Sequence, residues 1–183
     1  MKNYKFIISF FLIFIFFLPV QSSQKNKLNQ LFDKLVEVDN YKDAKIIEKK
    51  IWAVWHKHPQ SIKLTEKLEL GTQLMYDGNY GYALRVFNNI VKTDPEWSEG
   101  WNKRATLLFL MNDLTSSLKD IENVLILEPR HFGALSGQAR IFLKLQKYEK
   151  AIKSLNKTLK FYPLFSGRKL ILEIEKIIIG DSI

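Results

Sequence analysis

The sequence predicts an all-α protein, a right-handed superhelical array of helix-turn-helix repeats with a C-terminal capping helix. Three prolines spaced 34 residues apart, each following an apolar helical stretch, are the first observation behind this prediction. Small residues that recur at two fixed places between them are the second. The 183-residue chain is 46% hydrophobic and 26% charged, with only 8 Gly and 5 Pro, a balance typical of a packed globular protein.

The prolines set the phase of the repeat. Pro95, Pro129 and Pro163 each restrain the residue before them and cannot continue a helical hydrogen-bond ladder, so they mark a helix end at the same point of every unit. The units are residues 64–97, 98–131 and 132–165.

The small residues fall at the eighth and twentieth positions of each unit. Two helices of one unit can cross closely only where both side chains are small, while larger apolar residues fill the space beside the crossing. The eighth positions are Gly71, Ala105 and Ala139, and the twentieth are Ala83, Ser117 and Ala151. Each unit is therefore predicted to be a closely packed helical hairpin.

Both flanks of the three units also show helical patterns. Residues 23–63 repeat the pattern weakly, with Tyr41 and Ala44 in the places of the seventeenth and twentieth positions, and predict a degenerate N-terminal hairpin. Residues 166–183 contain an amphipathic stretch that predicts a capping helix and tail over the last unit.

A 34-residue period with this pattern resembles the tetratricopeptide repeat (TPR) family, whose consensus Trp101 and the pair Leu70-Gly71 also match. Residues 51–55, 101–106, 120–125 and 127–137 are further similar to exported alphaproteobacterial TPR proteins without an assigned activity. This narrower resemblance covers residues 28–163. It supports the predicted fold and export and adds little about mechanism. The function that the sequence predicts is a non-catalytic adapter, or scaffold, that holds a protein partner in a groove.

Residues 1–22 have the three parts of a secretory signal peptide. Lys2 and Lys5 precede an apolar run at residues 6–18, and Pro19 and small residues lead to a predicted cleavage after Ser22. These thirteen residues, with Ser9 as the one polar member, form a helix of about 20 Å, shorter than the roughly 30 Å core of a bilayer. We therefore expect a periplasmic or secreted protein, with an uncleaved membrane anchor as the alternative.

No residue pattern indicates an enzyme, a cofactor or a metal site. The chain has no Cys, which excludes a thiol nucleophile and thiolate ligands. His56 and His58 lack an accompanying acidic cluster, and their place before Pro59 favours hydrogen bonding at a helix end over metal binding. His131 follows Pro129 at a bend, where a helix-junction role is expected. Ser136 lacks the glycine that begins a nucleophile elbow.

The resemblance implies that the first helix of each unit lines a concave groove. Apolar residues interleaved with amides and cations there suit an extended peptide or a partner helix with an acidic end. The predicted groove residues are Thr72, Met75, Tyr76, Asn102, Lys103, Thr106, Phe109, Arg140 and Lys144. Alternatively, the apolar inward residues pack against neighbouring helices, namely Met75, Tyr76, Phe109 and Leu143. Leu68, Gly133 and Gly137 stand where chaperone-binding members need polar or basic residues, so a chaperone's C-terminal carboxylate is not the expected partner.

A basic patch is predicted on the second helix of the last unit. Lys150, Lys153, Lys157 and Lys160 fall along one side of it, within a segment, 132–183, that has 10 basic and 4 acidic residues. A solvated outer face is one interpretation, and a docking surface for anionic lipid or cell-wall polymer is the other. Nucleic acid is not expected, because no aromatic residues interleave with these lysines.

Arg104 departs from the usual apolar residue at the seventh position. It either extends its charged end to solvent over a buried stem or pairs with a carboxylate, with Glu99, Asp120 and Glu122 as candidates.

Overall fold

The computed structural model describes the backbone of residues 19–180 and the side chains of residues 23–180. Within these residues the chain forms nine helices and no strand, which confirms the all-α fold class. The helices are α1 (Pro19–Glu37), α2 (Tyr41–His56), α3 (Ile62–Tyr76), α4 (Tyr80–Thr93), α5 (Ser98–Leu110), α6 (Leu114–Leu127), α7 (Phe132–Lys144), α8 (Tyr148–Phe161) and α9 (Arg168–Gly180).

Most of the predicted signal peptide, residues 1–18, lies outside the described residues. The described part of α1 starts at Pro19. The predicted cleavage point after Ser22 thus lies inside α1. Among the described helices, none combines the length and apolar character needed to cross a membrane.

The helices of the repeat pair as α3–α4, α5–α6 and α7–α8. Their crossings contain the small residues, all of which are buried. A Cβ atom added at Gly71 would lie 2.6 Å from the ring of Phe87, and the Ser117 hydroxyl donates a hydrogen bond of 2.7 Å to the Ala105 carbonyl. The close crossing predicted from the eighth and twentieth positions is therefore confirmed in two of the units.

Both helices of each unit end at a signal that recurs in all three units. Gly78, Asn112 and Gln146 adopt positive φ values of 76°, 64° and 56° just after α3, α5 and α7, a conformation that ends a helix. The prolines lie two residues beyond α4, α6 and α8. Both signals recur at the 34-residue spacing.

Arg104 forms an ion pair with Asp120, one of the three partners considered for it. Its Nε and one terminal nitrogen each lie 2.7 Å from a carboxylate oxygen of Asp120, while the other terminal nitrogen donates to Asn88 at 2.9 Å. Asn88 is on α4, so this guanidinium connects the first unit to the second.

The C-terminal helix α9 covers the last unit. Ile171 and Ile174 are buried in one cluster with Ala139, Ala151 and Leu155. The α9 helix therefore contacts the apolar face that α7 and α8 present, as expected of a capping helix.

The N-terminal helices form a hairpin, but they do not simply extend the stack. The main contacts of this hairpin are with α5, α7 and α8 rather than with α3. Phe32 and Trp55 share a core with Phe132 and Tyr162, residues from the far end of the repeats. Leu70 on α3, at the position equivalent to Arg104, is consequently 54% exposed. Aromatic packing at the repeat junctions thus determines where the hairpin lies.

Candidate functional site

A cavity of about 310 Å³ lies between α2, α5 and α7. Five of the predicted groove residues line it together: Asn102, Lys103, Thr106, Phe109 and Arg140. They come from successive turns on one side of α5 and from α7, which the 34-residue repeat places side by side. The structure therefore brings the second and third units of the predicted groove together around one concave site.

The other four predicted groove residues do not line this cavity. Met75 is buried in the core of α3 and α4, as the alternative interpretation held, and has no surface left for a partner. Tyr76 is 78% exposed at the end of α3, and the Thr72 hydroxyl donates to the Leu68 carbonyl. Lys144 donates to Asn112 at 2.7 Å. The first unit thus contributes nothing to the lining.

A buried carboxylate lies next to the cavity at the first turn of α5. Glu99 is fully buried and accepts hydrogen bonds from Asn102 at 3.0 Å and from the His131 Nε2 at 3.1 Å. Its other oxygen lies 3.5 Å from the nitrogens of His56 and Lys103. Negative charge is favourable at a helix N-terminus, where backbone N–H groups are unpaired.

Burial by itself raises the pKa of Glu99. The hydrogen bond from His131 and the electrostatic attraction of His131, Lys103 and His56 outweigh it, so the pKa lies below its ordinary value. Glu99 is therefore an ionised group at neutral pH. It holds Asn102 and Lys103, two of the lining residues, in fixed positions.

Helix α2 packs against the residues around Glu99 and the beginning of α7, mainly through aromatic contacts. Trp55 stacks on His131 with ring centres 4.0 Å apart, and its carbonyl accepts a hydrogen bond of 3.0 Å from the Trp97 indole. The Trp52 ring lies directly over Gly133, where any Cβ atom would collide with it. Glycine at position 133 is therefore required for α2 to pack here.

Two residues of α2, Glu48 and Trp52, line the cavity although the sequence did not predict them. The sequence does contain a signal for an aromatic face on α2, because Trp52 and Trp55 are three residues apart on this helix. Their partners His131 and Gly133 lie about 80 residues away, and nothing in the local pattern relates the two sites.

The histidines have the helix-end roles predicted for them. His131 caps α7 by accepting from the Ala134 N–H at 3.1 Å, so its Nε2 carries the proton donated to Glu99. His58 accepts from the N–H groups of Gln60 and Ser61 and donates to Asp94 at 2.6 Å. No group of three or more His, Asp or Glu that could hold a metal ion occurs in the described part of the chain.

The four lysines of the predicted basic patch are all exposed on α8. This helix does not line the cavity. Groove and basic patch are consequently two separate surfaces that can be tested independently.

No family model matches the chain. A TPR repeat-containing protein of Rhizobium etli is 33% identical over 142 residues, which cover 78% of this chain and 69% of that protein. The first TPR of Spaghetti (RPAP3), bound to an HSP90 peptide, superimposes with a TM-score of 0.61 at 21% identity, covering 66% of this chain and 96% of that one. The Yersinia enterocolitica type III secretion chaperone SycD, in complex with a peptide of the translocator YopD, gives a TM-score of 0.57 at 13% identity, covering 68% and 95%.

The two structural similarities concern the fold alone, because the sequence identities are low. The similarity to the Rhizobium protein extends over most of both chains. That relative is from an alphaproteobacterium, as the narrower resemblance implied. Together with the 34-residue helical pairs, it shows that this chain belongs to the tetratricopeptide repeat family.

Proposed function

We propose that this protein is an exported, non-catalytic scaffold that holds a peptide segment of a protein partner in the cavity between α2, α5 and α7. The observation that carries the proposal is the gathering of five predicted groove residues around one cavity. Two structural neighbours hold peptides, one from HSP90 and one from a translocator, and TPR domains generally serve as non-catalytic interaction modules.

The charges around the cavity favour an acidic partner. Arg140 is exposed and forms no hydrogen bond or ion pair within the described residues. Glu48, the acidic residue of the lining, already bonds to Lys45 at 2.6 Å and accepts from the Tyr162 hydroxyl at 2.8 Å. The guanidinium of Arg140 is thus free to pair with a carboxylate of the partner, and a planar guanidinium suits a two-point contact with a carboxylate.

A crosslinking pull-down from envelope extracts tests the groove. Asn102 is a poor choice for substitution because it holds Glu99, so Thr106→Glu/Arg140→Glu is the sharper variant; both positions are exposed. The double variant Thr115→Glu/Arg168→Glu makes the same charge change at exposed positions outside the cavity and is the matched control. We expect specific proteins to be lost from the groove variant only. Equal recovery from both variants would contradict the proposal.

Export is part of the proposal and rests on residues 1–22. We expect the full chain, expressed in a bacterial host with an outer membrane, to reach the periplasm and to begin at Ser23. N-terminal sequencing of the fractionated protein measures both. A full-length chain in the membrane fraction would favour the uncleaved anchor, and one in the cytoplasm would contradict export.

The second candidate is an envelope-associated protein that docks on anionic lipid or cell-wall polymer through the basic patch. All four lysines are exposed on α8, where the only acidic residue is Glu149. Replacing the four lysines with Gln should abolish sedimentation with anionic vesicles, and in the unmodified protein this binding should collapse between low and moderate salt. Groove binding should survive the same salt change.

A further inference from the structure

Helix α2 provides one end wall of the proposed binding cavity. The Trp52 ring lies over Gly133, and its centre is 5.3 Å from that of Phe132 and 5.5 Å from that of His131. These three residues lie at the beginning of α7. Phe109 and Arg140, at the other end of the lining, lie about two turns further along α5 and α7. The groove is therefore closed where Trp52 lies and open towards Arg140.

The size of the cavity limits what can enter it. A volume of about 310 Å³ is at the small end of the range of about 300–1,000 Å³ for ligand sites. One or two large side chains of a partner therefore fit between α2, α5 and α7.

The Trp52 ring and the unpaired guanidinium of Arg140 lie at different ends of this space. Trp52 and Phe132 form the closed end, and Arg140 lies seven residues after Gly133, which places it about 10 Å further along α7. Three residues of an extended peptide span the same length, at about 3.3 Å each. An apolar side chain at Trp52 and a carboxylate at Arg140 can thus belong to one short segment.

We propose that Trp52 is a specificity-determining residue of the groove, and that the N-terminal hairpin is part of the binding site. The Trp52 ring receives one large apolar side chain of an extended peptide. Arg140 binds an Asp or Glu about three residues from that side chain along the same peptide. This inference rests on the proposed function, since it requires that the cavity binds a peptide.

The test begins with a phage-displayed library of random seven-residue peptides selected on the purified protein. Selected peptides should combine a large apolar residue with Asp or Glu about three positions away. In calorimetric titration of one such peptide, Trp52→Ala should weaken binding at least tenfold and Trp52→Phe less than threefold. Lys49→Ala, an exposed change on the same helix outside the cavity, should leave binding unchanged.

A second variant keeps the test valid if Trp52→Ala loses its helicity. Gly137 lines the cavity, and a Cβ there meets only Ile121, at 3.7 Å, so Gly137→Leu puts a large side chain into the cavity from α7 and leaves the residues of α2 unchanged. It should abolish peptide binding, and unchanged affinity would overturn the inference. If a folded Trp52→Ala binds like the unmodified protein while Thr106→Glu/Arg140→Glu does not, the inference fails and the proposed function stands. If the unmodified protein selects no peptide, both fail.

Discussion

The repeat stack of α3–α8 and the docking site of the α1–α2 hairpin are stabilised in different ways. In the stack, small residues at helix crossings recur every 34 residues, and each unit contacts its neighbours. The hairpin docks through contacts that occur once, namely the stack of Trp55 on His131, the Trp97 hydrogen bond and the buried Glu99. Periodic packing is readable from a sequence, whereas a single docking site between distant segments is not.

The largest expected effect comes from a substitution that weakens the docking of the α1–α2 hairpin. Trp55 is almost fully buried, so Trp55→Ala should cost about 3–5 kcal/mol in the free energy of unfolding, through lost burial and the cavity left behind. Hydrogen exchange should show α1 and α2 losing protection while α3–α8 keep theirs. Trp101→Ala, within the stack, should leave the hairpin protected. Unchanged protection of α1 and α2 in Trp55→Ala would contradict this account of the docking.

The second prediction concerns the buried carboxylate of the docking site. Glu99→Gln should cost about 1–3 kcal/mol at neutral pH, because a charge-assisted hydrogen bond and favourable ion pairs are lost. The pKa of Glu99 is lower in the folded protein than in the unfolded chain. Its stabilisation is therefore complete above about pH 4.5 and is lost as the pH falls towards the folded-state value.

Urea unfolding measured at several pH values checks this prediction. The unmodified protein should lose stability below about pH 4.5 more steeply than Glu99→Gln does. Glu122→Gln, at an exposed position on α6, should retain the steep dependence. Parallel pH curves for Glu99→Gln and the unmodified protein would show that Glu99 is not stabilised in this way.

The smallest expected effects compare two glycines on the first helices of their units. A Cβ at Gly71 would press on the Phe87 ring at 2.6 Å, so Gly71→Ala should cost about 1–2 kcal/mol. At Gly137 the nearest atom is 3.7 Å away, and Gly137→Ala should stabilise the protein by about 0.5–1 kcal/mol through helix propensity. Urea midpoints measure both. A shift of the same sign at the two positions would contradict the crossing geometry.

The sequence predicted those parts of the site that follow the repeat. Asn102, Lys103, Thr106, Phe109 and Arg140 line one cavity because they occupy inward positions of consecutive units. Met75 follows the alternative interpretation, since a side chain at an inward position of the first unit is also close enough to pack into the core of α3 and α4. The sequence missed Trp52 and Glu48 because only the folded chain brings α2 to the beginning of α7.

The sequence alone determined the repeat family and the ends of the helices in the three units, because local helix signals and a 34-residue period depend on residues close together in the chain. Only the tertiary structure decided that the first hairpin packs against α5, α7 and α8 and closes one end of the groove. That choice depends on the fit between Trp52, Trp55, Glu99, His131 and Gly133. Such complementarity between residues about 80 positions apart exists only after the repeats have stacked.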